Sequence, residues 1–104
     1  MKNCLLIGRK GIILQEIQDS VDTKEITFFG GTKLTDVRDI IDQENIDCVI
    51  MGAGVNLDVR INIIRYVMEN SKGTTVHMKD WKSGPTGMLP FVLGVLNSLK
   101  LEKE

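Results

Sequence analysis

The feature that most constrains the fold of this chain is a fourfold alternation of short apolar segments with longer amphipathic ones. The apolar segments have the length of buried β-strands, and the amphipathic ones repeat apolar residues with the period of an α-helix. This alternation is typical of a parallel sheet covered by helices on both faces, so we predict an α/β three-layer sandwich. The predicted strands span 3–8, 24–31, 46–52 and 74–79, and the predicted helices lie within 11–20, 33–45, 56–73 and 84–101. Thr35 or Asp36 is the expected cap of the helix within 33–45.

The handedness of the connections limits how the four predicted strands can be arranged. Right-handed crossovers between parallel strands leave few topologies, and we predict the strand order 2-1-3-4. In that order the direction of winding reverses between strands 1 and 3, so a crevice opens at their carboxyl ends. The 104 residues contain no repeat or linker, which predicts a single domain over 1–104.

Charge and composition exclude several classes of partner. The chain has 13 basic and 14 acidic residues, and a net charge of −1 provides no long-range field for nucleic acid or an anionic membrane. The first residues lack a signal-peptide pattern and no apolar run is long enough to span a membrane, so we expect a cytoplasmic protein. Cys4 and Cys48 show no metal-type spacing, so we expect two reduced, buried thiols and no metal site.

A glycine pair follows the third predicted strand, in the segment CVIMGAGVNLDVR at 48–60. Glycine lets the backbone approach a ligand closely, and the N–H groups of the next helix attract an anion. Glycine and charged residues also follow the other strands, although turns are commonly rich in both, and an ordinary set of turns is the alternative interpretation. The candidate binding residues are Gly8, Arg9, Lys10, Gly11, Gly52, Ala53, Gly54, Val55, Asn56, Lys79, Asp80 and Lys82.

Residues 4–84 resemble the first half of an atypical short-chain dehydrogenase, which is a Rossmann-like domain. That family's phosphate loop, a strand followed by GxxGxxG, is similar to IGRKGIIL at 7–14, which keeps Gly8 and Gly11 but has Leu14 in place of the third glycine. The segments KLTDVRDIIDQENIDCVIMGAGV and GTTVHMKDWKSG also resemble parts of that family. The resemblance implies NAD or NADP binding, with Gly8 and Gly11 at the pyrophosphate and residues 52–54 near the adenosine ribose.

The residues that such a dehydrogenase needs for hydride transfer are missing. The family's catalytic Tyr-x-x-x-Lys has no counterpart, because the only tyrosine, Tyr66, is followed four places later by Asn70. Gly30 and Gly31 occupy the place of the acidic residue that would hold the ribose, while Lys33 would at most favour a 2′-phosphate. The sequence therefore favours binding without catalysis, and no catalytic residue is assigned.

The chain also resembles the receiver domain of response regulators, which shares the predicted strand order. Receivers have an acidic pair after the first strand and a phosphorylated aspartate after the third. Gly8 and Arg9 occupy the first of those places here, and Gly52 occupies the second. This resemblance implies an interaction module that works without phosphorylation.

The last predicted helix is apolar around most of its circumference, and the helix over 56–73 is similarly broad. A helix of this kind must be buried on more than one side. We therefore predict a homodimer formed through these two helices, the alternative being that the last helix wraps the core of a small domain more deeply. The apolar residues of the last helix are Leu89, Phe91, Val92, Leu93, Val95, Leu96, Leu99 and Leu101.

Two functional hypotheses follow from these patterns. The first is a small, non-catalytic protein that binds a nucleotide or phosphate-bearing ligand at the carboxyl ends of strands 1 and 3. The alternative is a dimeric interaction or structural module without a small ligand. An enzyme with a site shared across the dimer is a third case, with His77, Asp80 and Lys82 as its first candidates, although His77 is better explained as a structural residue under a helix.

Overall fold

The computed structural model of the protein describes residues 2–8, 26–80 and 88–102, and within the last helix it describes the side chains of 90–98. The predicted helix over 11–20 lies outside these ranges, as do Arg9, Lys10, Gly11 and Lys82. The strands are β1 (Lys2–Ile7), β2 (Ile26–Gly31), β3 (Cys48–Met51) and β4 (Thr75–Met78). The described helices are α1 (Leu34–Gln43), α2 (Leu57–Asn70) and α3 (Met88–Glu102).

The sheet confirms the predicted topology. Its four strands are all parallel and lie in the order β2-β1-β3-β4. β1 and β3 are therefore central neighbours, and their register pairs Cys4 with Cys48 and Ile7 with Met51. Every residue of β3 is buried, as expected for a central strand covered on both faces.

Helices cover both faces of the sheet, so the predicted three-layer arrangement is confirmed. On one face α1 and α2 pack against alternate strand residues, and on the other face α3 packs against the residues between them. Among the described helices, none is long and apolar enough to cross a membrane. The first core includes Leu5, Ile7, Val49, Met51, Val37, Ile41, Ile63 and Val67, and the second includes Cys4, Leu6, Phe28, Cys48, Ile50, Val92 and Val95.

The start of α1 depends on one carboxylate and one glycine. Asp36, in the first turn, accepts hydrogen bonds from the backbone N–H groups of Thr32 at 2.8 Å and Lys33 at 3.2 Å. A Cβ atom placed on Gly31 would lie 2.8 Å from the Cβ of Asp36, so only glycine allows this close approach. The helix therefore begins at Leu34, with Lys33 as its N-cap.

Replacing Asp36 with alanine is expected to destabilise the protein by about 0.5–2 kcal/mol at pH 7, as for the loss of other helix caps. The hydrogen bond from the Thr32 backbone is the main cause that lowers the pKa of Asp36 below its ordinary value. A lowered folded-state pKa stabilises the protein above the unfolded pKa of about 4, and this contribution is lost as the pH falls through the folded value. Urea unfolding at several pH values should show that the difference in free energy of unfolding between wild type and Asp36→Ala becomes smaller in acid. A difference that does not change with pH would contradict this role of Asp36.

Candidate functional site

The carboxyl ends of the strands meet side by side. The N–H of Gly52 donates to the carbonyl oxygen of Ile7 at 2.8 Å, which joins the end of β3 to the end of β1. The N–H of Gly8 donates to Gly31 at 3.1 Å, and the N–H of Lys79 donates to the last residue of β3 at 2.8 Å. We call the end of the sheet formed by Gly8, residues 52–56, Lys79 and Asp80 the carboxyl edge. It includes the junction of β1 and β3, where the winding of the sheet reverses.

The turn that follows β3 is held from inside by the side chain of Arg60. The guanidinium donates through Nε to the carbonyl oxygen of Val55 at 2.8 Å and through an Nη atom to that of Gly52 at 2.9 Å. Arg60 is only 8% exposed, and the Val55 side chain packs into the core beneath α1 and α2. A charged donor bonded to two backbone oxygens in a buried setting fixes the path of the turn.

The glycines of this turn are not needed for an unusual backbone conformation. Among the described glycines only Gly73 has a positive φ, at 78°. Gly52 and Gly54 therefore have backbone angles that residues with side chains also adopt. At these two positions, glycine leaves the backbone of the carboxyl edge without a side chain.

Several backbone donors in the turn have no acceptor within the described part of the chain. These are the N–H groups of Ala53, Gly54 and Asn56, whereas the N–H of Val55 donates to Gly52 at 3.3 Å. Asn56 is the N-cap of α2, yet its exposed side chain makes no cap hydrogen bond. The first N–H groups of a helix have no intrahelical partner, so the start of α2 adds donors to those of the turn.

The charged residues near this turn are unequally exposed to solvent. Arg60 is 8% exposed and Lys79 is 5% exposed. Asp58 and Asp80 are both exposed. Because solvent ions screen buried charges less than exposed ones, the charges of the two cations are screened less than those of the two carboxylates.

The structure brings together all of the predicted binding residues that it describes, but they do not form a simple exposed rim, because Gly8, Gly52, Val55 and Lys79 are buried. Val55 is buried, so it offers a ligand only its backbone. Lys79 is also buried, and its N–H continues the series of backbone hydrogen bonds between β3 and β4. Arg60 was not among the predicted site residues; its only sequence signal is an arginine eight residues after a strand-ending glycine.

Tyr66 makes a hydrogen bond to the neighbouring helix, and His77 makes one along its own strand. The hydroxyl of Tyr66 donates to Asp42 on α1 at 2.6 Å, and this hydrogen bond raises the pKa of Tyr66. Tyr66 is ten residues past Asn56, so it lies about 15 Å along α2 from the carboxyl edge. His77 is half-buried, with Nε2 2.9 Å from the hydroxyl oxygen of Thr75.

Comparison with known proteins adds no further assignment: no family model, curated protein or solved structure matches the chain. Within the described ranges, no group of three or more His, Cys, Asp or Glu residues is arranged to hold a metal ion. Function is therefore inferred from the geometry of the carboxyl edge.

Proposed function

We propose that this chain is a small, non-catalytic, Rossmann-like cytoplasmic protein that binds a nucleotide or another phosphate-bearing ligand at the carboxyl edge. The observation that supports the proposal most directly is the set of backbone donors at Ala53, Gly54 and Asn56, which lack acceptors in the described part of the chain. Backbone N–H groups at the start of a helix are a common site for a phosphate oxygen. The side chain of Arg60 keeps the backbone of this turn in place.

A preformed turn of this kind favours binding because little order has to be gained with the ligand. Gly54 is half-buried and has no side chain, so an oxygen atom can approach the backbone of the turn there. NAD and NADP are therefore included among the candidate ligands, in line with the resemblance to Rossmann-like dehydrogenases. The setting of Tyr66, bonded to Asp42 and remote from the edge, supports binding without hydride transfer.

A thermal-shift panel of inorganic diphosphate, ATP, NAD, NADP, flavin mononucleotide and S-adenosylmethionine tests this function. A ligand present at about 100 times its dissociation constant adds about 2.7 kcal/mol to the stability of the folded state. We expect at least one phosphate-bearing compound to raise Tm, and we expect Gly54→Val to abolish that rise because the new side chain covers the donors of the turn.

The matched control is Gly94→Val, since Gly94 is exposed on α3 and an added Cβ there meets no atom within 4 Å. This variant should keep the full ligand-induced rise. No response to any compound in the panel would reject the binding function, and an unchanged response in Gly54→Val would place the ligand elsewhere.

A second candidate function is a homodimeric interaction module, which an exposed apolar stripe on α2 supports. Leu57, Ile61 and Met68 are 55%, 43% and 57% exposed, and their spacing places them along one side of the helix. Met78, at the end of the short strand β4, is 45% exposed. An apolar stripe is self-complementary, as a two-fold interface between identical chains requires. On α3, by contrast, Val92 and Val95 are buried against the sheet, so we propose α2 as the main contact.

Sedimentation velocity at micromolar concentration tests the dimer. We expect a dimer for the wild type and a monomer for the double variant Ile61→Glu and Met68→Glu, because two carboxylates would be buried in the interface. Asn62→Glu is the matched control, since Asn62 is an exposed polar residue of the same helix. A monomeric wild type would reject the homodimer.

A further inference from the structure

The two cysteines of the chain face each other across the centre of the sheet. They are 44 residues apart in sequence, yet the register of β1 and β3 makes them direct neighbours, with their Sγ atoms 2.6 Å apart. Cys4 is 1% exposed and Cys48 is 0% exposed. Both are free thiols joined by a hydrogen bond.

The backbone at this position suits a covalent bond between the two sulfurs. Neighbouring strands lie about 4.8 Å apart. That spacing falls inside the range of roughly 4.4–6.8 Å between the Cα atoms of residues joined by a disulfide. The spacing of the two strands is therefore compatible with a disulfide between this pair.

The surroundings of the pair are apolar, and the pKa values of its two thiols are shifted in opposite directions. Leu6, Phe28 and Val92 belong to the same core cluster, beneath α3. The hydrogen bond between the thiols lowers the pKa of Cys4 and raises the pKa of Cys48, which burial raises further. The thiolate is the reactive form of a cysteine, and we therefore assign the first step of the oxidation to Cys4.

We propose that Cys4 and Cys48 are a redox-modification site that a small hydroperoxide converts reversibly into a disulfide between β1 and β3. The thiolate of Cys4 attacks an oxygen of the hydroperoxide, the O–O bond breaks, and an alcohol or water leaves after taking up a proton. The resulting sulfenic acid is attacked by the sulfur of Cys48, so that the S–S bond forms and the S–O bond breaks. The departing hydroxide takes the proton of Cys48 and leaves as water, so two thiols are oxidised by one hydroperoxide.

This modification is independent of ligand binding at the carboxyl edge. The sulfurs lie on the face of the sheet that α3 covers, three residues before the ends of β1 and β3. A bond between residues so distant in sequence restricts the unfolded chain, so the oxidised protein is expected to have a higher Tm than the reduced one.

The test is treatment of the reduced full chain with hydrogen peroxide, followed by unfolding in denaturant, alkylation and measurement of the intact mass. We expect a monomeric product that has lost two hydrogen atoms and takes up no alkyl group, and dithiothreitol should restore two alkylation sites. Because the sequence contains only two cysteines, such a product identifies the bond without mapping.

The variants Cys4→Ala and Cys48→Ala should form no such product, and Cys48→Ala should instead retain a sulfenic acid that dimedone traps. If a variant does not fold, the intact mass of the wild type after peroxide treatment and alkylation is sufficient to test the proposal. Two alkylated cysteines after peroxide treatment, a mass increased by oxygen atoms alone, or a disulfide found only between chains would each overturn the proposal.

Discussion

Replacing Arg60 with methionine is expected to lower the free energy of unfolding by about 2–4 kcal/mol. The guanidinium makes two hydrogen bonds to backbone oxygens, at Val55 and Gly52, and hydrogen bonds from charged donors contribute more than neutral ones. Methionine retains much of the apolar stem but leaves the Val55 oxygen without this donor in a buried turn. The loss should also reduce the ligand-induced rise in Tm, because the turn is no longer held.

Urea unfolding of the wild type, Arg60→Met and Arg60→Lys measures this effect. Lysine keeps the charge but lacks the forked N–H donors of arginine. We therefore expect the free energy of unfolding of Arg60→Lys to lie between those of the wild type and Arg60→Met. If the free energy of unfolding of Arg60→Met is within about 0.5 kcal/mol of the wild-type value, the effect is no larger than that of an ordinary surface substitution. That result would show that Arg60 does not hold the turn.

Replacing Phe28 with alanine is expected to cost about 3–5 kcal/mol, which is comparable to the stability of a marginal domain. Phe28 is 7% exposed in the middle of β2, where its ring helps to fill the core between the sheet and α3. Its removal leaves a cavity beneath α3 that neighbouring side chains fill only in part.

Denaturant unfolding should show the full loss for Phe28→Ala and a smaller loss for Phe28→Leu, which keeps most of the apolar contact. Phe28 pairs with Cys4 in the register and lies away from the carboxyl edge, so Phe28→Leu should retain the ligand-induced rise in Tm. A loss below about 1 kcal/mol for the alanine variant would be too small for a filled core. It would contradict the packing of α3 on this face.

The strand order and the two covered faces were predictable because they depend on periodicity and on the handedness of connections. Central β3 is apolar at every position, and an unbroken apolar run of this length is typical of a strand buried on both faces. The exact ends of elements were less predictable: the helix expected within 33–45 is Leu34–Gln43, and the strand expected over 74–79 is Thr75–Met78. The expected cap at Thr35 or Asp36 was wrong, because the N-cap is Lys33 and Asp36 lies in the first turn. Hydrogen bonds such as those accepted by Asp36 determine where α1 begins.

The turn at which we propose the binding site was predictable, but its internal contacts were not. Gly52 and Gly54 mark the turn, because glycines that follow an apolar strand segment can be recognised from the sequence alone. The inward direction of Val55 and the reach of Arg60 to the turn depend on how α2 packs against the sheet. The contact between Cys4 and Cys48 likewise depends on the register of two strands separated by 44 residues.

The most direct test of anion binding at the carboxyl edge is an amide chemical-shift titration of the ¹⁵N-labelled protein with inorganic diphosphate. Diphosphate has the charge and oxygen atoms of a nucleotide without its base, so it isolates the contribution of the backbone donors. We predict saturable shifts that are largest at Ala53, Gly54 and Asn56 and that disappear in Gly54→Val. Absence of saturable shifts, or shifts confined to residues away from 52–56, would contradict the proposed site.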